Sequence, residues 1–324
     1  MGSSVRENPT PDIHIPEHWS EAAESIAYGG STQTPPIAVI CGAKNCGKTT
    51  FSRYLLNVLL STRYTKVAYL DTDVGQPEFA LPSFLSLTIV DRVTPDLKIS
   101  CLKTLERSLL YGDVSSKTDP SAYLNYLFAI YDYYRKEYCS SNKKENPTRT
   151  KLPLIVNTPG WVKGVVYDVL VDMLKYICPT YVVKIGISSE NKNLPAGEFW
   201  LLVRKDSRLL RDLRIMAYFR QCFPSDSDIS IIKELEHSLA SHCPYEVPIS
   251  SIKVRHLHCE VPSSETFYTL SASIVGLAVD SEGSENLPWC LGLGLKRLQV
   301  PDRSLHRCRP SKKFSTMWSV FVIP

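Results

Sequence analysis

Residues 36–50 read PIAVICGAKNCGKTT, and this stretch decides the fold. The run 37–41 is apolar and largely β-branched, which predicts a buried strand, and the amphipathic segment 51–60 predicts a helix. Gly42 and Gly47 bracket the loop between them. A strand, a glycine-bracketed loop and a helix in this order predict a phosphate-binding loop, the alternative being an ordinary glycine-rich strand-to-helix turn.

The residue types in this loop suit the binding of nucleotide phosphates and of the accompanying metal ion. Glycines allow backbone N–H groups to approach the α- and β-phosphates, and the N-terminus of the following helix adds partial positive charge. The Lys48 ammonium reaches the β- and γ-phosphates, and the Thr49 hydroxyl can ligate Mg²⁺. The predicted ATP-binding residues are Gly42, Ala43, Lys44, Asn45, Cys46, Gly47, Lys48, Thr49 and Thr50.

The composition is that of a globular chain with a sizeable core. The chain has 324 residues, 44% of them hydrophobic and 22% charged, which suits one large domain or a domain with an appendage. The net charge of +4 permits an anionic partner such as RNA without requiring one. The ten cysteines form neither a C-x-x-C pair nor a zinc-type cluster, so we expect reduced thiols in an intracellular protein. No apolar run approaches the length of a membrane span, and no signal-peptide core is present.

Strand and helix patterns alternate through most of the chain. Besides the elements around the loop, strands are predicted at 66–70, 85–90, 99–102, 152–156, 181–187 and 199–203, and helices at 17–27, 121–138, 165–176 and 207–219. The tyrosine-rich helix 121–138 is expected to face the core. This alternation predicts an α/β fold, a P-loop NTPase with a mostly parallel sheet flanked by helices. From about Pro244 the segments 251–259 and 268–279 predict a small β-rich C-terminal module.

These patterns divide the chain into four parts. Residues 1–16 are predicted to be disordered, residues 17–243 to form the P-loop domain with a lead-in helix, and residues 244–295 to form the β-rich module. The tail 296–324 is rich in Lys and Arg and lacks a sustained period, so we expect it to lie outside the catalytic core as a divergent ending. Within the tail, only the segment 317–323 is apolar enough to pack. Any affinity of the tail for RNA phosphates should be nonspecific and salt-dependent.

Two aspartates follow the second predicted strand in the motif DTDVGQP. Ligands of α/β sheets bind at the carboxyl ends of strands, so Asp71 and Asp73 should lie beside the phosphates. Alternate residues of an extended segment point to opposite sides, so one carboxylate can face Mg²⁺ and the other the phosphate acceptor. We assign Asp73 as the general base, and Asp71 with Thr49 to the metal. The alternatives are the reverse assignment and a structural strand-end turn.

The next strand end carries Asn157-Thr158-Pro159-Gly160-Trp161. Many P-loop proteins place an Asp-x-x-Gly γ-phosphate sensor here, and an Asn cannot supply the negative charge, which argues against a simple GTPase switch. Trp161 could stack on a nucleic-acid base or belong to the core, and the sequence leaves both open.

The predicted helix 207–219 carries Arg208, Arg211 and Arg214. We interpret it as a lid that places guanidinium groups on the transferring phosphate, in the manner of arginine fingers. A solvated basic helix face is the alternative.

Three motifs in this order resemble the polynucleotide 5′-hydroxyl kinase family of RNA processing: the phosphate loop at 42–49, DTDVGQP at 71–77 and TPGW at 158–161. The phrases at 51–57 and 75–79 are more similar to its nucleolar pre-ribosomal RNA branch than to the relative found in mRNA 3′-end cleavage factors. The resemblance covers roughly residues 19–295. The tail from Lys296 does not follow the family pattern.

The resemblance implies phosphorylation of an RNA 5′-hydroxyl end with ATP and Mg²⁺. Thr158, Gly160 and Trp161 would form a substrate clasp. The other residues with an expected substrate or lid role are Gln76, Arg211 and Arg214. Expected partners are RNA with a 5′-hydroxyl end and an endonuclease subunit of a pre-rRNA processing complex, with no membrane, and the expected location is the nucleolus within the nucleus.

A nucleotide-binding switch or scaffold subunit with little kinase activity is the competing hypothesis. No guanine-reading Asn/Thr-Lys-x-Asp motif follows 181–187, which argues against a GTPase. Lys48, Thr49, Asp71 and Asp73 are all present, which argues against a degenerate site.

Overall fold

The computed structural model describes residues 15–29, 34–94, 102–139, 151–161, 164–186, 207–242, 252–270, 273–279, 289–295 and 318–322. Several sequence predictions lie outside these ranges. They are the disorder of residues 1–14, the strand residues 99–101, the strand at 199–203, and most of the basic tail.

A six-stranded sheet carries the phosphate loop. Its strands are β1 Ile37–Gly42, β2 Val67–Asp71, β3 Phe84–Val90, β4 Arg107–Leu110, β5 Leu154–Asn157 and β6 Tyr181–Ile185, in the order β4-β3-β2-β5-β1-β6. The four strands β2, β5, β1 and β6 are parallel, which confirms the predicted mostly parallel sheet. The connection from β2 to β3 contains no helix, so β3 returns antiparallel, and β4 pairs antiparallel with it at the edge.

Helices cover both faces of this sheet: α1 Glu17–Tyr28 and α2 Lys48–Thr62 one face, and α3 Pro120–Tyr134 and α4 Val165–Ile177 the other. Two further helices, α5 Ser207–Arg220 and α6 Ile232–Ser241, contribute buried residues to a separate apolar cluster. Alternate β1 residues serve the two faces: Val39 packs in the cluster that contains α3 and α4 residues, and Ala38 and Ile40 in the cluster that contains α1 and α2 residues. Burial on both faces explains why the inner strands β1, β2 and β5 are apolar over most of their length instead of alternating.

Helix α2 follows the loop because its apolar residues repeat with a helical period. Phe51, Leu55 and Leu59 recur every fourth position and are at most 1% exposed. Each such buried side chain contributes about 1.5–3 kcal/mol to folding. The end of the phosphate loop is thereby attached to the core.

Helix α3 is well defined at its start and faces the core, as predicted. The Asp119 side chain caps it by accepting a hydrogen bond from the Ala122 N–H at 2.9 Å, with Pro120 at the first helical position. The hydroxyls of Tyr123 and Tyr131 are buried and donate to the carbonyls of Thr72 and Ile177. A π-helical turn at Arg135–Cys139 follows α3. Among the helices in the described ranges, none combines the length and apolarity that crossing a membrane requires.

A second, four-stranded sheet follows toward the C-terminus, as predicted. Its strands are β7 Ile252–His256, β8 Ile274–Val279, β9 Trp289–Leu295 and β10 Trp318–Val322, in the order β7-β10-β8-β9. The predicted strand at 268–279 is in part wrong, because the short helix α7 Thr266–Leu270 precedes β8. The polar turn after Pro262 starts this helix, and the Thr269 hydroxyl bonds back to the Thr266 carbonyl at 2.9 Å.

Strand β10 departs from the expectation that the β-rich module ends at Leu295 and that the tail is a divergent ending beyond it. Residues 318–322 pair parallel with β7 and antiparallel with β8, so they occupy an interior position of the second sheet. Their sequence Trp-Ser-Val-Phe-Val has the aromatic and β-branched residues that suit a strand. The boundary at Leu295 therefore does not separate this segment from the module.

Hydrogen exchange should detect this strand. The amides of β10 that bond to β7 or β8 are expected to exchange slowly, with protection similar to that of β8, because both edges of β10 are paired. A chain ending at Leu295 should lower the unfolding midpoint of the module, since β7 and β8 lose their shared neighbour. Exchange of residues 318–322 at the rate of an unstructured peptide would contradict this placement.

The two sheets meet in a shared apolar cluster. Leu81 after β2, Leu110 of β4, Phe219 of α5, and Ala278 and Leu293 of the second sheet are all buried in it. A buried hydrogen bond reinforces the junction: the Ser108 hydroxyl donates to the Cys290 carbonyl at 2.8 Å. The C-terminal sheet is thus packed against the P-loop domain.

Candidate active site

The phosphate loop leaves β1 at Gly42 and enters α2 at Lys48. Positive φ angles of 63° at Asn45 and 92° at Gly47 curl the backbone, as in loops whose N–H groups form anion-binding nests. Lys48 is 6% exposed, and its Nζ donates to the Ala43 carbonyl at 2.7 Å. The lysine ammonium therefore lies over the loop, where it can bind phosphate oxygens.

Three strand ends converge beside this loop, as the sequence predicts. Asp71 ends β2 and Asn157 ends β5, and the two residues face each other in the register of the sheet. The Asn157 Nδ2 donates to the Asp71 Oδ1 at 3.2 Å and lies 3.5 Å from the Thr49 Oγ1. Asn157 thus connects the first turn of α2 to the Asp71 carboxylate, a role that the sequence pattern did not indicate.

The Asp71 carboxylate is fixed from several directions. It is 1% exposed and accepts hydrogen bonds from the backbone N–H groups of Asp73 and Glu78. Glu78 is itself fixed, because its buried carboxylate pairs with Arg53 of α2 at 3.3 Å. Burial raises the pKa of Asp71 to about 7, although the hydrogen bond from Glu78 opposes the rise.

Asp73 lies two residues further and is less buried. Its Oδ1 accepts hydrogen bonds from the N–H groups of Gly75 at 3.0 Å and Gln76 at 3.1 Å. Burial raises the pKa of Asp73, while these two hydrogen bonds and, less strongly, the positive charges of Lys48 and Arg214 lower it. The carboxylate therefore lies in the combined field of the phosphate-loop lysine and a lid arginine. Its assignment as the base stays a prediction that this geometry supports.

The predicted clasp residues pack against the phosphate loop. The Thr158 hydroxyl is buried and donates to the Ile40 carbonyl of β1 at 2.7 Å. Gly160 passes so close to the loop that a Cβ there would lie 2.7 Å from the Lys44 backbone nitrogen. Trp161 is 4% exposed and contacts the Tyr123 ring edge-on, with centroids 5.1 Å apart. The side chains of Thr158 and Trp161 thus support the position of Gly160, and their substrate contacts remain a prediction.

Trp161→Ala is expected to destabilise the folded domain by about 3–5 kcal/mol, because it empties a large volume beside Tyr123. If Trp161 instead stacks on RNA and has no role in the core, the variant should lose about 1–3 kcal/mol of RNA-binding free energy at unchanged folding stability. Denaturant unfolding and RNA titration of the same variant separate these outcomes. Trp161→Phe is the aromatic control and should lose less stability.

The predicted lid arginines lie on α5. Arg208 is exposed, whereas Arg211 and Arg214 are half-buried. The positive charge of Arg214 lowers the pKa of Asp73, and Arg211 lies about one turn earlier on the helix. The Arg214 Nη1 atom is buried, so this arginine is not wholly solvated, and the lid role of the helix stays a prediction.

The residues present fit a Mg²⁺ ion. Thr49 and Asp71 supply the hydroxyl and carboxylate oxygens that such a hard cation prefers. The buried Asn157 Oδ1 has no hydrogen-bond partner in the described part of the chain, so a further oxygen is available beside them. Within the same ranges, no group of three His, Cys, Asp or Glu side chains could hold a metal ion, so a cluster-type metal site is not found there.

This loop, with Lys48 at the start of α2 and carboxylates at the neighbouring strand end, defines a P-loop nucleotide-binding protein. Residues 42–221 match the family described as mRNA cleavage and polyadenylation factor CLP1 P-loop, and residues 240–299 match NOL9-like, C-terminal domain. The chain belongs to the polynucleotide 5′-hydroxyl-kinase family: it is 53% identical over 321 residues to polynucleotide 5′-hydroxyl-kinase NOL9 of Arabidopsis thaliana, covering 91% of this chain and 84% of the relative.

Animal relatives are more distant and longer. The human polynucleotide 5′-hydroxyl-kinase NOL9 is 26% identical over 382 residues, covering 94% of this chain and 51% of the relative, and the zebrafish (Danio rerio) protein of the same name is 27% identical, covering 86% and 44%. The chain thus spans about half the length of these two relatives. A solved structure of the wild-type Clp1p–Pcf11p complex shares the fold, with a TM-score of 0.59 at 15% identity, covering 94% of this chain and 78% of that one.

Proposed function

We propose that this chain is an ATP-dependent kinase that transfers the γ-phosphoryl group of ATP to the 5′-hydroxyl of RNA. The observation that carries the proposal is the placement of Asp73, whose carboxylate is acted on by the charges of both Lys48 and Arg214. This combination provides a proton acceptor in the field of the phosphate-loop cation Lys48 and of the α5 cation Arg214. The relatives are polynucleotide 5′-hydroxyl-kinases by name, which supports the same acceptor class.

The chain's residues have distinct tasks in this transfer. The loop backbone and Lys48 hold the ATP phosphates and neutralise their charge. Asp73 accepts the proton of the 5′-hydroxyl while the oxygen forms a bond to the γ-phosphorus and the bond to the ADP oxygen breaks. Arg214, with Arg211 on the same helix, stabilises negative charge on the transferring group. Gln76 and Gly160 border the acceptor side.

A bound divalent ion would add positive charge beside the ATP phosphates. Thr49, Asp71 and Asn157 would hold Mg²⁺, which when bound neutralises phosphate charge. The Asn157 amide orients the Asp71 carboxylate for this task through its 3.2 Å hydrogen bond.

A labelled transfer assay tests the proposal. Incubation with γ-labelled ATP should label an RNA oligonucleotide that has a 5′-hydroxyl and leave the same oligonucleotide with a 5′-phosphate unlabelled. Saturable ATP binding without any transfer would support the nucleotide-switch or scaffold hypothesis and reject the kinase proposal.

We further propose that the kinase acts in pre-rRNA processing in the nucleolus, together with an endonuclease subunit that generates the 5′-hydroxyl end. The similarity to the NOL9 proteins supports the branch, and in the solved Clp1p–Pcf11p complex a protein of this fold is bound to a second chain. Co-purification of RNA-cleaving activity with the tagged chain from nucleoli tests this assignment. Recovery of the tagged chain outside the nucleus, without nuclease activity, would contradict it.

A further inference from the structure

The helix that carries the lid arginines is held at its other end by the C-terminal module. Phe219 near the end of α5 is buried in the cluster that also contains Ala278 of β8 and Leu293 of β9. Tyr218 packs beside it, with the two rings edge-on at a centroid distance of 5.4 Å. Arg214, about one turn before Tyr218, lies near enough to Asp73 to lower its pKa, and the aromatic end of the helix packs on the second sheet.

One hydrogen bond connects helix α5 to strand β9. The backbone N–H of Leu293 donates to the Tyr218 hydroxyl at 3.0 Å. Strand β9 is the last strand of its sheet, so the tyrosine satisfies a backbone group on the edge that faces away from β8. A Cβ on Gly292 would lie 2.5 Å from the Tyr218 hydroxyl oxygen, so a glycine at this position makes the close approach possible.

Tyr218 lies on the same stripe of α5 as the lid arginines. Arg211, Arg214 and Tyr218 are spaced three and four residues apart, the interval at which side chains line one face of a helix. A rotation of α5 that moves the tyrosine therefore moves both arginines in the same sense. The contact with β9 sets the rotation of the helix about its axis.

We propose that Tyr218 is a positioning residue for phosphoryl transfer, which acts by anchoring α5 to β9 so that Arg211 and Arg214 lie over the transferring phosphoryl group. This inference rests on the proposed kinase function, because it requires the arginines to act in the transfer. The C-terminal module then determines the geometry of the active site from a distance. Misplacement of a catalytic group by about 1 Å can cost on the order of 10²-fold in rate, so a single anchor can have a measurable effect.

Two variants disturb the anchor in different ways. Tyr218→Phe keeps the ring and removes the hydroxyl, and Gly292→Ala keeps the hydroxyl and displaces it by steric contact. Both are expected to lower the rate of single-turnover transfer at saturating ATP by about 10-fold or more, with ATP affinity unchanged, because the phosphate loop is not touched. Tyr268→Phe is the matched control: it removes a tyrosine hydroxyl from the C-terminal module at a side chain that is 83% exposed, and it should have no effect.

A double-mutant cycle distinguishes positioning from general stability. If Tyr218 acts through Arg214, then Tyr218→Phe should slow transfer in the wild-type chain and have little further effect in the Arg214→Ala background. An equal slowing in both backgrounds, or full activity of both anchor variants, would overturn the inference while leaving the kinase proposal intact. Absence of transfer by the wild-type chain would instead reject the kinase proposal itself. Unfolding midpoints measured in parallel identify any variant that fails to fold.

Discussion

Lys48→Ala is expected to abolish detectable phosphate transfer, with a loss of about 10³-fold or more. This is the scale on which cations that stabilise a transferring phosphoryl group act. Lys48 is buried at the first position of α2, and its Nζ lies over the phosphate loop through the bond to the Ala43 carbonyl. Alanine therefore removes this buried ammonium from the loop without changing the core residues that fix α2.

The measurement is transfer of labelled γ-phosphate to a 5′-hydroxyl RNA, with nucleotide affinity determined in parallel. Lys66→Ala is a suitable control, because Lys66 is exposed just before β2 and has no part in the site. The Lys48 variant should also lose much of the stabilisation that ATP confers on the wild-type chain against unfolding. Undiminished transfer by Lys48→Ala would reject the assignment of this loop as the catalytic phosphate site.

The sequence predicts those features of the site that depend on a local motif or on a general rule of the fold. The phosphate loop requires its glycines, Lys48 and Thr49 at fixed spacing between a strand and a helix, so the pattern is sufficient. The positions of Asp71 and Asp73 follow from the rule that strand ends meet at one edge of a parallel sheet. The class of fold follows from the alternation of strand and helix periods.

Other features depend on contacts between residues that are distant in the sequence, so local motifs do not predict them. The bond between Asn157 and Asp71 depends on the register of β2 against β5, which no local pattern encodes. The pairing of Arg53 with Glu78 joins two segments whose charges look like ordinary surface residues in the sequence. Strand β10 finds its place between β7 and β8 only once both are formed, so its short apolar run looks like an isolated segment of the tail.

Asp73→Asn tests the division of labour between the two aspartates. The Asn amide oxygen can still accept the hydrogen bonds from Gly75 and Gln76, so the turn is kept and the proton acceptor is lost. ATP binding should be retained, and the single-turnover rate should fall by about 10²–10⁴-fold, the usual value of general-base catalysis. The wild-type rate should also fall as the pH drops below the raised pKa of Asp73, because the protonated carboxyl cannot accept a proton. The residual activity of the variant should lack this dependence.

Asp71→Asn is the matched comparison, since it removes the same charge two residues away. Asp71 is bound by two backbone N–H groups and by the Asn157 amide, whose Nδ2 also lies 3.5 Å from the Thr49 Oγ1, so its carboxylate is fixed beside the predicted metal ligand Thr49. This variant should need a higher Mg²⁺ concentration for half-maximal transfer and should recover much of its rate when Mg²⁺ is saturating, because a metal ligand is weakened and the base is intact. Asp73→Asn should show no such recovery. If saturating Mg²⁺ rescues Asp73→Asn and leaves Asp71→Asn inactive, then Asp71 is the base and Asp73 serves the metal.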